Sequence, residues 1–356
     1  MTRSSRIGFC ILAAVGLALG GCTPKAWPGV RSFYKDSQDE PAPKKTKKPA
    51  AAESGEAKKW WNPFGGGKKG DPSRSEPSSG ASEPMSGDFA QGVRLVKSHQ
   101  FAEAKTVFQS VSEQNPKSDE ACRWLGDCHY NLMELQPAID AYARATEINP
   151  NNYFALRGRG FALLYLGHDV WRAYEEACGR KEYEAAQGHL TQAHENYKLG
   201  LEVLQKCMQL YPGDDEASYG RAMAAEGASR LLYSNAVTLQ KKSKKTEAEA
   251  WADNCMQIVD EGIKAAEVRI QKRPDENPPG PRALVGGLFL RRAVLLKEFG
   301  QTDQALVDLD KAITMHKAIL AEVDRNNVKA QGQFKQCEEL KAKWQSEGGA
   351  APKSAE

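Results

Sequence analysis

The chain has 356 residues, 27% of them charged, with a mean hydropathy of −0.60, a formal net charge of +3, 18 Pro and 31 Gly. That much Pro and Gly cannot be spread through one packed domain, so a sizeable part of the chain must lie outside any core. Residues 23–84 hold 12 Lys plus Arg against 8 Asp plus Glu; taking that +4 and the +2 of the first 22 residues from the total leaves −3 after residue 84, which argues against a nucleic-acid partner for the folded part.

The chain opens with Arg3 and Arg6, an apolar run from Ile7 to Leu19, and Leu19-Gly20-Gly21-Cys22. This is a signal-peptide layout. The apolar run of 13 residues is shorter than the roughly 20 a helix needs to cross a bilayer. The four residues ending at Cys22 resemble the lipobox of bacterial lipoproteins, with Gly20 a less usual choice at its position. The resemblance implies a signal peptide over 1–21, cleavage before Cys22, diacylglycerol on its thiol and acyl chains, palmitate among them, sufficient for stable anchoring. Thr23 rather than Asp after the cysteine implies the periplasmic face of the outer membrane under the enterobacterial sorting rule; an ordinary secretory signal with a chance cysteine is the alternative.

Residues 22–84 contain nine of the 18 prolines and runs such as "PAPKKTKKPA" without helical or strand period, and are expected to form a disordered linker. A coil of that length spans roughly 45 Å. Within it Trp60, Trp61 and Phe64 form an aromatic island flanked by Lys58, Lys59, Lys68 and Lys69. They read either as a docking motif or interfacial anchor, or as a patch that packs loosely on the folded part.

From residue 85 the pattern becomes amphipathic helix, punctuated by Pro116, Pro150, Pro212 and Pro274 at intervals of 34, 62 and 62. In 119–152, Leu125, Gly126, Ala138, Tyr142, Ala145 and Pro150 fall where small residues let two antiparallel helices approach and a proline ends the second; Gly92, Leu95, Ala104, Phe108, Val111 and Pro116 do so more loosely in 85–118. These residues resemble the tetratricopeptide repeat. In 153–214 and 215–276 the small pairs Gly160/Gly200 and Ala222/Gly262 are 40 apart instead of 12, an excess of 28, or two heptads per helix. Leu156, Gly160, Leu163, Gly167, Val170, Tyr174 and Ala177 keep a coiled-coil-like seam in register, as do Tyr183, Ala186, Leu190, Ala193, Tyr197, Gly200, Leu204 and Cys207. Each block therefore reads as one long hairpin with polar tips at Cys178–Glu182 and Gln240–Lys245; the rival parse breaks each near Gly167 and Gly227 into two shorter repeats. A fifth unit, 286–320, follows a Pro-rich connector, a capping helix covers 325–345, and 347–356 is a disordered tail. The expected class is an all-α, TPR-like solenoid over 85–346 with two elongated antiparallel hairpins.

Cys122, Cys128 and His129 share one helix at spacings that do not converge, so no metal or cofactor is expected, and Cys207 reads as a buried small hydrophobe on the seam. Disulfides between helices stay open. No nucleophile motif, phosphate loop or HExxH pair appears, so no enzymatic activity is expected. The resemblance implies instead a concave groove lined by first helices, which in the family binds peptide segments. Its groove positions fall on Arg123, Asp127, Tyr130, Asn131, Phe154, Arg157, Phe161, Leu164, Tyr165, Tyr219 and Met223. Phe161, Leu164 and Tyr165 read equally well as helix packing. The residues for a carboxylate clamp are missing, so no specificity for a chain terminus is implied. The sequence thus points to a membrane-anchored scaffold in the bacterial cell envelope that binds a protein or peptide partner. The alternative is a spacer that self-associates through its long hairpins and contacts anionic lipid or cell wall through its basic linker.

Overall fold

The computed structural model describes residues 87–272, 280–323 and 325–349, and these are helical without a strand. Five antiparallel hairpins follow one another: α1 (Gly87–Lys97) with α2 (Phe101–Gln114), α3 (Asp119–Asn131) with α4 (Leu135–Ile148), α5 (Tyr153–Arg180) with α6 (Tyr183–Leu210), α7 (Asp215–Lys241) with α8 (Lys245–Lys272), and α9 (Gly280–Glu298) with α10 (Thr302–Ala318). A π-helical turn, Ile319–Val323, and α11 (Val328–Gly349) close the stack. The first helices α1, α3, α5, α7 and α9 each touch the next, ending on α11, so they form one continuous face.

Local chemistry explains where the helices begin. Two residues after Pro116, Pro150 and Pro212 stand Ser118, Asn152 and Asp214, whose side-chain oxygens accept from the backbone N–H of Ala121 (3.2 Å), Ala155 (3.0 Å) and Glu216 (2.9 Å). The proline stops one helix and the cap starts the next, because it satisfies an N–H that the first turn leaves free. Each hairpin turns through one residue of positive φ: His99, Met133, Lys181, Ser243 and Gly300, at 58–81°. Long and short hairpins thus share one turn.

The two long hairpins expected from the heptad spacing are present. Helices α5, α6 and α8 have 28 residues and α7 has 27, about twice the 14 of α2 and α4. They run unbroken through Gly167 and Gly227, which removes the rival parse. These glycines make room for a ring. Tyr197 of α6 is wholly buried between them, and a Cβ on Gly167 or Gly227 would stand 2.8 and 2.5 Å from it. The seam residues are buried except at the distal end, where Tyr183 is 42% exposed.

Two boundaries differ from the expected ones. Helix α9 begins at Gly280, not 286, because Pro281 occupies the first turn, where a missing N–H costs nothing and a fixed φ suits a helix. Helix α11 extends to Gly349, past the expected tail start, and buries one face through Ala330, Gln333, Cys337 and Trp344. The lipobox, the linker and its aromatic island lie outside the described residues.

Candidate partner-binding face

The continuous face of first helices carries two rows of side chains. Near the start of the helices, Arg123 of α3 donates to Asp127 (2.7 Å) and Glu120 (2.7 Å), and Tyr142 of α4 donates to the other oxygen of Asp127 (2.7 Å). The Arg123 guanidinium lies 3.7 Å above the Trp124 ring and 5.6 Å from that of Phe154 on α5. Arg157 approaches Phe154 from its own helix, at 5.7 Å, and also Tyr153, at 5.1 Å. Tyr153 in turn donates to Asp214, which lies 3.9 Å from Arg157. Phe154 is therefore flanked by two guanidinium groups, each already oriented by carboxylates, in the geometry of cation–π attraction.

The second row is tyrosine. Tyr130 of α3 meets Tyr165 of α5 edge-on at 5.9 Å, and the Tyr165 phenol bears electrostatically on Tyr219 of α7. Burial pushes the Tyr219 phenol up to about 12, Tyr165 adding to it, and also raises Tyr165 itself. Burial raises the Asp127 carboxyl, against the pull of Arg123 and Tyr142. Burial opposes the charge on Arg123, but Asp127 and Glu120 outweigh it and hold the guanidinium protonated.

The groove residues divide by exposure. Phe154, Tyr165, Tyr219 and Met223 are half-buried and present apolar surface. Arg123, Asp127, Tyr130 and Arg157 are 3–8% exposed, and of these Arg123 and Arg157 flank Phe154 while Tyr130 meets Tyr165. Half-buried Asn131 donates its amide to the Asp127 carbonyl at 2.7 Å, which ties it to its own helix. Phe161 and Leu164 are corrections, because both are 0% exposed and pack in the core, Phe161 directly over Gly220 of α7. They cannot touch a partner.

A polar centre lies deeper, and the sequence reading did not reach it. Glu226 and Arg230 of α7 and Arg291 of α9 are all buried; Arg230 donates to Glu226 at 3.0 Å, and Arg291 donates to Glu226 at 2.6 Å and to Ser229 at 2.5 Å. Arg230 also lies 4.5 Å over the Trp171 ring of α5. Burial alone would raise the Glu226 carboxyl, but Arg230 and Arg291 hold it down to about 2. This cluster joins both long hairpins to the fifth. The only signals were an i,i+4 acid–base pair that resembles a solvated surface pair, and Arg291-Arg292 inside the apolar run of α9.

Cys122, Cys128, Cys207, Cys255 and Cys337 are buried thiols, and burial pushes Cys128, Cys255 and Cys337 up to about 12. No cluster of His, Cys, Asp and Glu among the described residues could hold a metal ion, and no described helix is long and apolar enough to cross a membrane.

The repeating caps, the shared turns and the row of touching first helices define a helical repeat, and residues 95–160 match the family model of the tetratricopeptide repeat. The chain contains tetratricopeptide repeats. No curated protein matches it. Among solved structures it is similar to MamA from Desulfovibrio magneticus RS-1, at 15% identity over 65% of this chain and 94% of that one, with a TM-score of 0.38. It is also similar to a thermophilic TPR protein of Thermus thermophilus, at 17% identity over 71% of this chain and 98% of that one, with a TM-score of 0.31. No partner or chemistry comes from likenesses this distant. The TPR architecture itself is that of a protein–protein interaction scaffold.

Proposed function

We propose that this TPR protein is a lipid-anchored adaptor of the bacterial cell envelope that binds a protein partner along the face of α3, α5 and α7. The observation that carries the binding face is the pair of rows just described. Half-buried Phe154 stands between fixed Arg–carboxylate pairs, and half-buried Tyr165 and Tyr219 form the aromatic row beside it. Large rings held rigid by their neighbours supply contact area at little entropic cost, which is the character of interface anchors. The anchor reading is supported by Leu19-Gly20-Gly21-Cys22 and by the length of chain between Cys22 and Gly87, enough to hold the repeats away from a bilayer.

Two measurements test the halves separately. Metabolic labelling with a clickable fatty acid should mark the full chain and not Cys22→Ser; equal labelling removes the anchor. Capture from membrane extract with the full chain should enrich a partner that Phe154→Ala/Tyr165→Ala loses at least tenfold, with helicity unchanged. Arg157→Ala is the poorer probe, since it would remove the guanidinium beside Asp214, Tyr153 and Phe154 and so damage the buried layer as well as the surface.

A further inference from the structure

The Trp60, Trp61 and Phe64 island belongs neither to the lipobox nor to the repeats. We propose that this segment is an internal ligand: it docks on the TPR face of its own chain, across Phe154, Tyr165 and Tyr219, and an external partner must displace it. The inference rests on the adaptor reading of that face and adds a regulator to it.

Three observations converge on this occupant. First, the surface on offer is aromatic, with Phe154 and Tyr165 half-buried on α5 and Tyr219 and Met223 half-buried on the next first helix, α7. Rings presented edge and face in this way pair with other rings at centroid separations of 4.5–7 Å. Second, the segment carries charge that suits the rim of that face: Lys58, Lys59, Lys68 and Lys69 bracket the island, and Glu120 stands part-exposed beside Arg123 at the Phe154 end. Third, the distance fits. Between Phe64 and Gly87, where α1 begins, lie 22 residues. A tether of that length spans at most about 75 Å fully extended, and roughly 25 Å at coil statistics. Helix α5 is two first helices beyond α1, and packed helices are about 8–10 Å apart. The face therefore lies within the ordinary reach of the tether, at an effective concentration on the order of millimolar. Even a segment that binds in trans at only ~100 μM would occupy its own face about nine-tenths of the time under those conditions.

The test uses the full chain, its Trp60→Ala/Trp61→Ala/Phe64→Ala variant, and a labelled synthetic peptide of residues 56–70. The peptide should bind the variant, whose face is vacated, about tenfold more tightly than the native chain, whose face is occupied. Adding Phe154→Ala/Tyr165→Ala to the variant should abolish binding, while Tyr165→Phe, which keeps the ring, should retain it. Amide exchange over 153–165 should be slower in the native chain than in the variant, independently of protein concentration. Equal peptide affinity for the two chains, or no binding to either, overturns the proposal. So does protection that grows with concentration, which would place the segment on a second copy, or binding of the peptide to anionic vesicles alone. The outcome separates from the parent reading. A partner captured equally by native and variant chains, with no peptide binding, leaves the adaptor standing and removes its regulator.

Discussion

Buried with no hydrogen-bond partner for either ring nitrogen, His316 of α10 lies against Gly286 of α9, where an added Cβ would stand 2.8 Å from the ring. Burial lowers its pKa to about 4, and burial likewise lowers His168 to about 3. Both are therefore neutral in the folded state, while in the unfolded chain they take up a proton near pH 6.5. Because the unfolded state then binds more protons, stability is complete above about pH 6.5 and is lost as pH falls toward 4. Glu226 adds its own loss only further down, toward pH 2, since its depressed carboxyl favours the folded state above the ordinary carboxylate range. We expect His316→Leu to leave stability at pH 7 unchanged or up by about 1 kcal/mol, through removal of unsatisfied buried nitrogens. It should also flatten part of the decline between pH 6.5 and 4 in urea unfolding; an undiminished decline would assign it to other groups. The sequence could not mark His316 as buried, because one imidazole among Thr, Met and Lys reads as surface. Phe161 and Leu164 show the converse limit. At first-helix positions an apolar residue satisfies both the groove pattern and the core pattern, and only the approach of Gly220 decides for Phe161.

At the scale of elements, spacing was legible and side-chain depth was not. The 3,4 seam of α5 and α6 follows from counting, because inserted heptads return the same face to the partner helix. The start of α9 was missed, because the prolines before it look like linker and Pro281 is itself helical. The rival parse breaks the hairpins near Gly167 and Gly227, which are ring sites instead. Replacing Gly227 by Ala should gain about 1 kcal/mol in helix propensity, yet forcing a methyl toward a ring that cannot retreat costs about 1–3 kcal/mol. Tyr197 cannot retreat, having Gly167 on its other side. We therefore expect Gly227→Ala to destabilise the fold, and Tyr197→Leu to be less damaging in that background than in the native one. Additive effects in that double-mutant cycle would show that the ring contact does not matter. The buried cluster on α7 and α9 gives a second expectation. Glu226→Gln leaves Arg230 and Arg291 buried without their shared carboxylate and should cost about 3–5 kcal/mol, whereas Arg291→Met, which leaves one acid facing one base, should cost less. Equal losses would mean that packing, not charge, joins α9 to α7.

For the whole molecule, the question is what the long hairpins add. Beyond the end of α3–α4, the uncovered side of α5 changes from Gly158 and Ala162 to Asp169, Arg172, Glu176 and Arg180, which pair along the helix as solvated charges do. The distal halves of α5–α6 and α7–α8 pack mainly on each other, with Trp171 under Arg230 and Tyr197 between the two glycines. They thus extend the stack sideways, away from the proposed anchors Phe154 and Tyr219 near the start of α5 and α7. This separates two roles by deletion. The α7–α8 hairpin turns at Ser243, so the stretches 233–239 and 247–253, equidistant from it, lie opposite one another. Removing both takes about one heptad from each helix, returns the same face to each partner, and leaves Phe154, Tyr165 and Tyr219 untouched. Removing five residues from each instead rotates the distal ends by about 140° and buries charge. We expect the seven-residue deletion to unfold cooperatively within several degrees of the native chain and to keep partner capture by the groove, and the five-residue deletion to lose cooperativity and bind a hydrophobic dye. Capture lost in a well-folded seven-residue deletion would move the binding site from the first helices to the projecting arms, because only the arms would have changed.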